Sequence, residues 1–105
     1  MTRFSVWWTH IDPTQNGELT GHRPVVVVSP NEMNKRLATV IVAPMTTALR
    51  GWPTRLPVRH NGKSAEIALD QLRTVDQFSL GSTKGDLDPV YHAPVLDILA
   101  EMFHK

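Results

Sequence analysis

Arg23-Pro24-Val25-Val26-Val27-Val28-Ser29-Pro30 is the stretch on which the fold turns. So continuous an apolar run, with no alternation of polar and apolar residues, suggests a strand buried on both faces. Upstream, Phe4 to Ile11 is rich in aromatic and β-branched residues and reads as another strand. Asp12-Pro13-Thr14-Gln15-Asn16-Gly17 ends it with turn residues and opens a polar loop running to His22. Downstream, Ser29-Pro30-Asn31-Glu32 has the order of a capping box. Ser29 is the expected N-cap, Pro30 the first helical residue, and Glu32 follows the cap by three.

Farther out, Thr39 to Ala43 predicts a third strand, stopped by Pro44, and Met45 to Trp52 predicts a polar loop. Arg55 to Arg59 and Ser64 to Leu69 flank His60-Asn61-Gly62-Lys63, and Asn-Gly is a strong hairpin signal. Gln71 to Val75 offers another short strand, and Gly81 to Gly85 reads as a turn. Val95, Ile98, Leu99, Met102 and Phe103 form one stripe of an amphipathic C-terminal helix. Pro94 fits its first turn, although Pro89 could start an earlier one. The expected fold is mostly β, a strongly curved antiparallel barrel-like sheet with short helices and one C-terminal α-helix packed on it. At 105 residues the chain is expected to form a single domain, 1–105.

Composition narrows the functional classes. Cysteine is absent, so neither disulfides nor thiolate metal sites are expected. Arg3, Ser5, Thr9 and His10 interrupt any signal-peptide core, and Val25 to Val28 is far short of a membrane span, so a soluble, cytoplasmic protein is expected. The net charge is only +1, but it is unevenly spread. Residues 1–85 carry ten Lys/Arg and six Asp/Glu, while residues 86–105 carry one and four. A basic body with an acidic tail is compatible with an RNA-facing surface, although charge alone favours ordinary surface scatter.

The search for chemistry is mostly negative. There is no cysteine, no Gly-x-Ser-x-Gly and no phosphate-binding glycine loop. The histidines at 10, 22, 60, 92 and 104 lack the spacing of a zinc site, so no metal or cofactor is expected. What remains is polar residues at the ends of apolar strands. Arg23 precedes the valine run, and Thr46 and Thr47 follow the third strand. If those strands are neighbours, an arginine fork and a threonine hydroxyl meet, a pair suited to a phosphodiester. Glu18 could pair with Arg23 or accept a proton. Asp70 and Gln71 could read base edges or satisfy backbone groups in a turn. Trp7 and Trp8 face opposite ways, so at least one is expected in the core, and Trp52 is the better stacking candidate.

Together these residues resemble a known family. Asp12-Pro13-Thr14, Glu18 and Gly21-His22-Arg23-Pro24-Val25-Val26-Val27-Val28-Ser29-Pro30 look like the N-terminal signature of the MazF/PemK-like toxins. Asn34 falls at the family's usual asparagine, Pro44-Met45-Thr46-Thr47 resembles its second block, and Asp70-Gln71-Leu72-Arg73-Thr74-Val75-Asp76 its third. The resemblance covers roughly residues 4–103. It implies a barrel-like antiparallel sheet of SH3-like or CcdB-like form, a symmetric homodimer, and sequence-selective cleavage of single-stranded RNA, including mRNA. It also implies a cognate antitoxin whose extended segment occupies the active-site groove.

Carried over by position, the resemblance makes Arg23 and Thr46 catalytic and Glu18 the loop glutamate reported as important in some members. Asp70 and Gln71 line the RNA groove, and Thr47 and Trp52 join them as substrate-binding candidates. One branch of the family has an arginine two positions before the Asp-Gln pair, where this chain has Ala68, which points to the MazF-type arrangement. The implied mechanism is attack by the RNA 2′-hydroxyl, which needs no protein nucleophile and no metal. Glu18 is the first choice of general base and Asp70 the second. The alternatives are a CcdB-like toxin that binds DNA gyrase and an inactive RNA-binding member. The end of the chain, Met102-Phe103-His104-Lys105, lacks the Trp-Gly-Ile terminus of the former.

Overall fold

The computed structural model describes residues 1–12 and 19–105. The loop expected after Asp12 therefore falls mostly outside the described residues, and Glu18 with it. The described residues form seven strands: β1 Ser5–Ile11, β2 Gly21–Val27, β3 Thr39–Thr46, β4 Arg55–His60, β5 Lys63–Ala68, β6 Arg73–Asp76 and β7 Thr83–Asp86. The helices are α1 Asn31–Arg36 and α2 His92–Met102, with single 3-10 turns at Leu69–Gln71, Gln77–Ser79 and Pro89–Tyr91. Every strand pairing is antiparallel, in the order β4-β5-β3-β2-β1-β7, with β6 also on β3. β3 carries β2 along one edge. Its other edge is shared, β6 lying opposite Thr39–Val42 and β5 opposite Met45–Thr46. That branching splits the sheet and curls it into a half-barrel.

The valine run is buried on both faces, as its pattern requires. Val25 and Val27 pack with Ile11, Val40 and Val42 on one side. Val26 and Val28 pack on the other, against Ala43, Ile67, Leu69 and Val95 of α2. Ile98, Leu99 and Met102 extend the helix's contact with that second core. Phe103, expected on the same stripe, is the C-cap residue and 73% exposed, because the helix ends before it can turn inward. Pro89 does start an earlier turn, a 3-10 turn, and Pro94 sits in the first turn of α2 without interrupting it.

Several local expectations are corrected. Pro44 does not stop β3, which continues to Thr46. The Val28 amide donates to the Ile41 carbonyl, which makes 28 and 41 a hydrogen-bonded pair and, by alternation, Val25 and Pro44 a non-hydrogen-bonded one. The proline nitrogen then points to the other edge, between the start of β6 and the end of β5, where no ladder bond is lost. The capping box does not form. Pro30 occupies the N-cap position of α1, and the Ser29 hydroxyl is instead committed to Asn34 Oδ1 at 2.6 Å while accepting from the Ile41 amide at 3.0 Å. Asn34 is thus a buried polar lock between α1 and β3. Residues 81–85 form no free turn, since β7 pairs with β1 there. The Gly81 amide donates to the Trp8 carbonyl at 2.7 Å, and a Cβ on Gly81 would meet that oxygen at 2.7 Å, so only glycine allows the approach. Gln71, expected in a strand, belongs to the 3-10 turn before β6. The 60–63 hairpin is as read, with Asn61 and Gly62 at φ 51° and 78°, the geometry of a type I′ turn.

Candidate active site

β2 and β3 are neighbours, so the condition for bringing Arg23 and Thr46 together is met. Their register pairs Val25 with Pro44, and continuing it two residues places Arg23 opposite Thr46. Thr9 pairs with Arg23 on the other side, and Thr46 pairs with Glu66 of β5. Thr9, Arg23, Thr46 and Glu66 therefore form one polar row across four strands, on the face whose next rows are Val25 and Val27. The row lies where an apolar face ends.

Arg23 is half-buried and held by main-chain oxygens. Nε and Nη2 donate to the Thr20 carbonyl at 3.0 and 2.9 Å, and Nη1 donates to the Met45 carbonyl at 3.2 Å. Three of the five guanidinium N–H groups are thereby used, leaving one on each terminal nitrogen among the described residues, a fork for two phosphate oxygens. Burial lowers its pKa, yet an arginine remains cationic. No carboxylate among the described residues pairs with it. Thr46 Oγ1 accepts from the Ala48 amide at 3.1 Å, which fixes the oxygen while its own O–H remains able to donate. Thr46 and Thr47 also line a cavity of about 260 Å³. A larger cavity, about 600 Å³, lies between Arg3, Phe4 and His92 and touches none of the expected site residues.

Asp70, Gln71 and Trp52 form a second group. Asp70 receives Arg55 Nε at 2.6 Å and Nη2 at 3.1 Å, with Thr54 Oγ1 at 3.0 Å. Burial raises the Asp70 carboxyl, but the hydrogen bonds from Arg55 and Thr54 and the Arg55 charge outweigh it, so the group sits below the ordinary carboxylate range. That environment makes Asp70 a poor proton acceptor and an anchor for the strand ends. Trp52 is half exposed, with the Arg55 guanidinium 4.6 Å from its ring centroid on one side. Gln71 Oε1 accepts from the Leu19 amide at 3.1 Å, tying this group to the segment whose Thr20 carbonyl orients Arg23. Glu18 immediately precedes that tether, outside the described residues. Trp7 packs on the apolar core while Trp8 stays partly exposed, in keeping with their opposite faces.

Two residues that the sequence reading passed over hold the site in shape. Glu66, 2% exposed, accepts from the Arg50 and Gly51 amides at 2.9 to 3.0 Å and so fixes the loop between β3 and β4. A lone carboxylate between Ala65 and Ile67 in a strand was its available signal. Arg55, buried beneath Trp52, gave none beyond its place at a strand start. Among the described residues, no cluster of three His, Asp or Glu side chains gathers where it could hold a metal ion, and no helix is long and apolar enough to cross a membrane.

The sequence model of the PemK-like, MazF-like toxins of type II toxin–antitoxin systems matches residues 2–103. The endoribonuclease toxin MazF of Escherichia coli strain K12 is 31% identical over 77 residues, 73% of this chain and 69% of that protein. The crystal structure of MazF from Deinococcus radiodurans superposes with a TM-score of 0.85 at 21% identity, covering 100% of this chain and 97% of that one. An endoribonuclease from Mycobacterial species, solved in complex with its cognate antitoxin, gives 0.80 at 24% identity, covering 96% and 92%. The two structures share the antiparallel half-barrel and C-terminal helix described above.

Proposed function

The chain belongs to the PemK-like, MazF-like toxins of type II toxin–antitoxin systems and is an endoribonuclease; on that premise we propose that it cuts single-stranded RNA, mRNA included, by attack of the RNA's own 2′-hydroxyl. The observation that carries the reading is Arg23, bound through Nη1 to the Met45 carbonyl next to Thr46, with donors to spare on both residues. The 2′-oxygen bonds to the adjacent phosphorus and the 5′-oxygen leaves, so the protein supplies no nucleophile. Negative charge accumulates on the non-bridging oxygens as the fifth bond forms. The two remaining Arg23 N–H groups and the Thr46 hydroxyl donate to those oxygens, and both are oriented before substrate arrives. Glu18 takes the 2′-proton in this scheme. Its neighbour Leu19 donates its amide to Gln71 Oε1, beside Asp70, which supports the assignment. Asp70, neutralised by Arg55, is left to position the strand ends.

The same reading includes a cytoplasmic homodimer, regulation by a cognate antitoxin that occupies the RNA groove, one domain over 1–105, and arrest of translation and growth as the outcome. The family match and relatives named as endoribonucleases favour cleavage over the CcdB-like reading. The test is direct. Purified protein is incubated with RNA of mixed sequence in the presence of EDTA. Discrete fragments are expected; intact RNA at all protein concentrations would refute the proposal, and gyrase inhibition without cleavage would restore its rival.

A further inference from the structure

The cavity beside Thr46 is lined mainly by residues that the site already described does not use, from β1, β2, the β4–β5 turn and β7. Its floor is Trp8, 38% exposed, next to Pro24. One wall is the β4–β5 turn, with His60, Asn61 and Lys63; the other is β7, with Lys84. The walls are tied to each other, because His60 Nε2 and Asn61 Nδ2 both reach the Lys84 carbonyl, at 2.7 and 3.3 Å. β7 is in turn pinned to β1 at Trp8 by the Gly81 and Ser82 main-chain bonds. The Lys84 ammonium lies 5.6 Å from the Trp8 ring centroid, and His22 lies parallel to that ring. Among the described residues no aspartate or glutamate lines the cavity, whereas Lys63, Lys84 and His60 do.

An aromatic floor with cationic, amide and hydroxyl walls is the composition by which proteins hold single-stranded nucleic acid. The ring stacks on a base and the cations track its phosphates. At about 260 Å³ the space is below the roughly 300 Å³ at which pockets for free drug-sized ligands begin, so it suits one unit of a polymer. We propose that this cavity is a nucleotide subsite reached past Thr46, on the face of β1 and β2 opposite Arg23, in which Trp8 carries a base of the RNA and Lys63 and Lys84 hold its flanking phosphates. The inference rests on the RNA-cleaving reading and adds a place where the strand is gripped beyond Arg23 and Thr46.

Lys63 and Lys84 are exposed, so the K63A/K84A double variant keeps the fold. Binding is measured by fluorescence anisotropy with a labelled single-stranded oligoribonucleotide whose sugar at the cut is 2′-deoxy, across a salt series, alongside kcat and KM on the cleavable RNA. The double variant should bind about tenfold or more weakly, and its log Kd–log salt slope should fall by about 1.4, near 0.7 for each phosphate no longer neutralised. KM should rise in parallel while kcat at saturation changes less than about threefold. Trp8→Leu should lose about five- to hundredfold in affinity, the worth of one stacked base. Affinity and salt slope unchanged in the double variant overturn the subsite. If the wild type cuts RNA and that result is found, the subsite falls and the proposed activity stands. If the wild type binds with the lysine-dependent slope but never cuts, the subsite stands and the activity falls. If it neither binds nor cuts, both fall.

Discussion

Arg23, near the start of β2, and Arg55, at the start of β4, are built to opposite ends. Arg55 is buried and answered in full by the Asp70 carboxylate, with Thr54 completing the oxygen's partners. Arg23 is half-buried and held only by the dipoles of the Thr20 and Met45 carbonyls among the described residues. A carboxylate neutralises a guanidinium, whereas carbonyls aim it and leave its charge for something else. The difference separates scaffold from site: Arg55 ties the start of β4 to the turn after β5, and Arg23 waits for an anion.

The largest expected effect follows from that contrast. Arg23→Ala should lower kcat/KM by at least about a hundredfold, the usual cost of removing a preorganised donor to a transition-state charge. Its stability cost should stay near ~1 kcal/mol, because the carbonyls it leaves can take water. Cleavage assays and thermal melts on the same preparation check both halves. Arg23→Lys should recover only part of the rate, since an ammonium lacks the planar fork. Full activity in Arg23→Ala would erase the distinction between the two arginines.

Arg55→Ala should do the reverse. Removing one partner of a buried pair should cost about 3 kcal/mol, at the lower end because Asp70 keeps some solvent, with activity per folded molecule within about tenfold of wild type. The pair also predicts a pH signature. The native Asp70 pKa is depressed, so its contribution is complete above the unfolded value near 3.9 and is lost as pH falls through the native value. Denaturant melts of wild type and Asp70→Asn should therefore differ at neutral pH, with the difference shrinking as pH falls below about 4. A constant difference across that range would mean the ion pair contributes nothing.

A smaller effect tests the link between the regions. Glu66→Gln keeps one acceptor for the Arg50 and Gly51 amides but loses the charge, and should cost about 1–2 kcal/mol. Because the loop it fixes carries Trp52, KM should rise by a few-fold with kcat nearly unchanged, read from steady-state kinetics. A change confined to kcat would place Glu66 in the chemistry instead.

Much of the molecule was legible in the residues, for reasons that differ by place. Val25–Val28 has no polar face, so its central position was forced, and Asn61-Gly62 dictated a two-residue turn. Pro44 misled because the cost of a proline in a strand depends on which edge its nitrogen faces, and that is set by long-range pairing. Ser29 misled for the same kind of reason: a local cap competed with Asn34 and the Ile41 amide, and the tertiary partners won. Residues 81–85 looked like a turn until β1 was available to pair with them. In the site, Arg23 and Thr46 were legible as strand ends, but their opposition needed the register. Glu66 and Arg55 stayed hidden because their partners are backbone amides and a carboxylate 15 to 16 residues away.

The central claim is that Arg23 and Thr46 stabilise charge on a phosphate attacked by its own 2′-hydroxyl. The most direct test is the chemistry of the cut ends, read by mass spectrometry of a short RNA cleaved in EDTA, beside the same RNA with a single 2′-deoxy sugar at the scissile position. A well-placed 2′-oxygen brings an effective molarity of roughly 10⁵ M or more, which no bulk nucleophile matches. The account predicts a 2′,3′-cyclic phosphate, a 5′-hydroxyl, and a deoxy substrate that binds but is not cut. A 5′-phosphate, an absolute need for Mg²⁺, or cleavage of the deoxy substrate would contradict it.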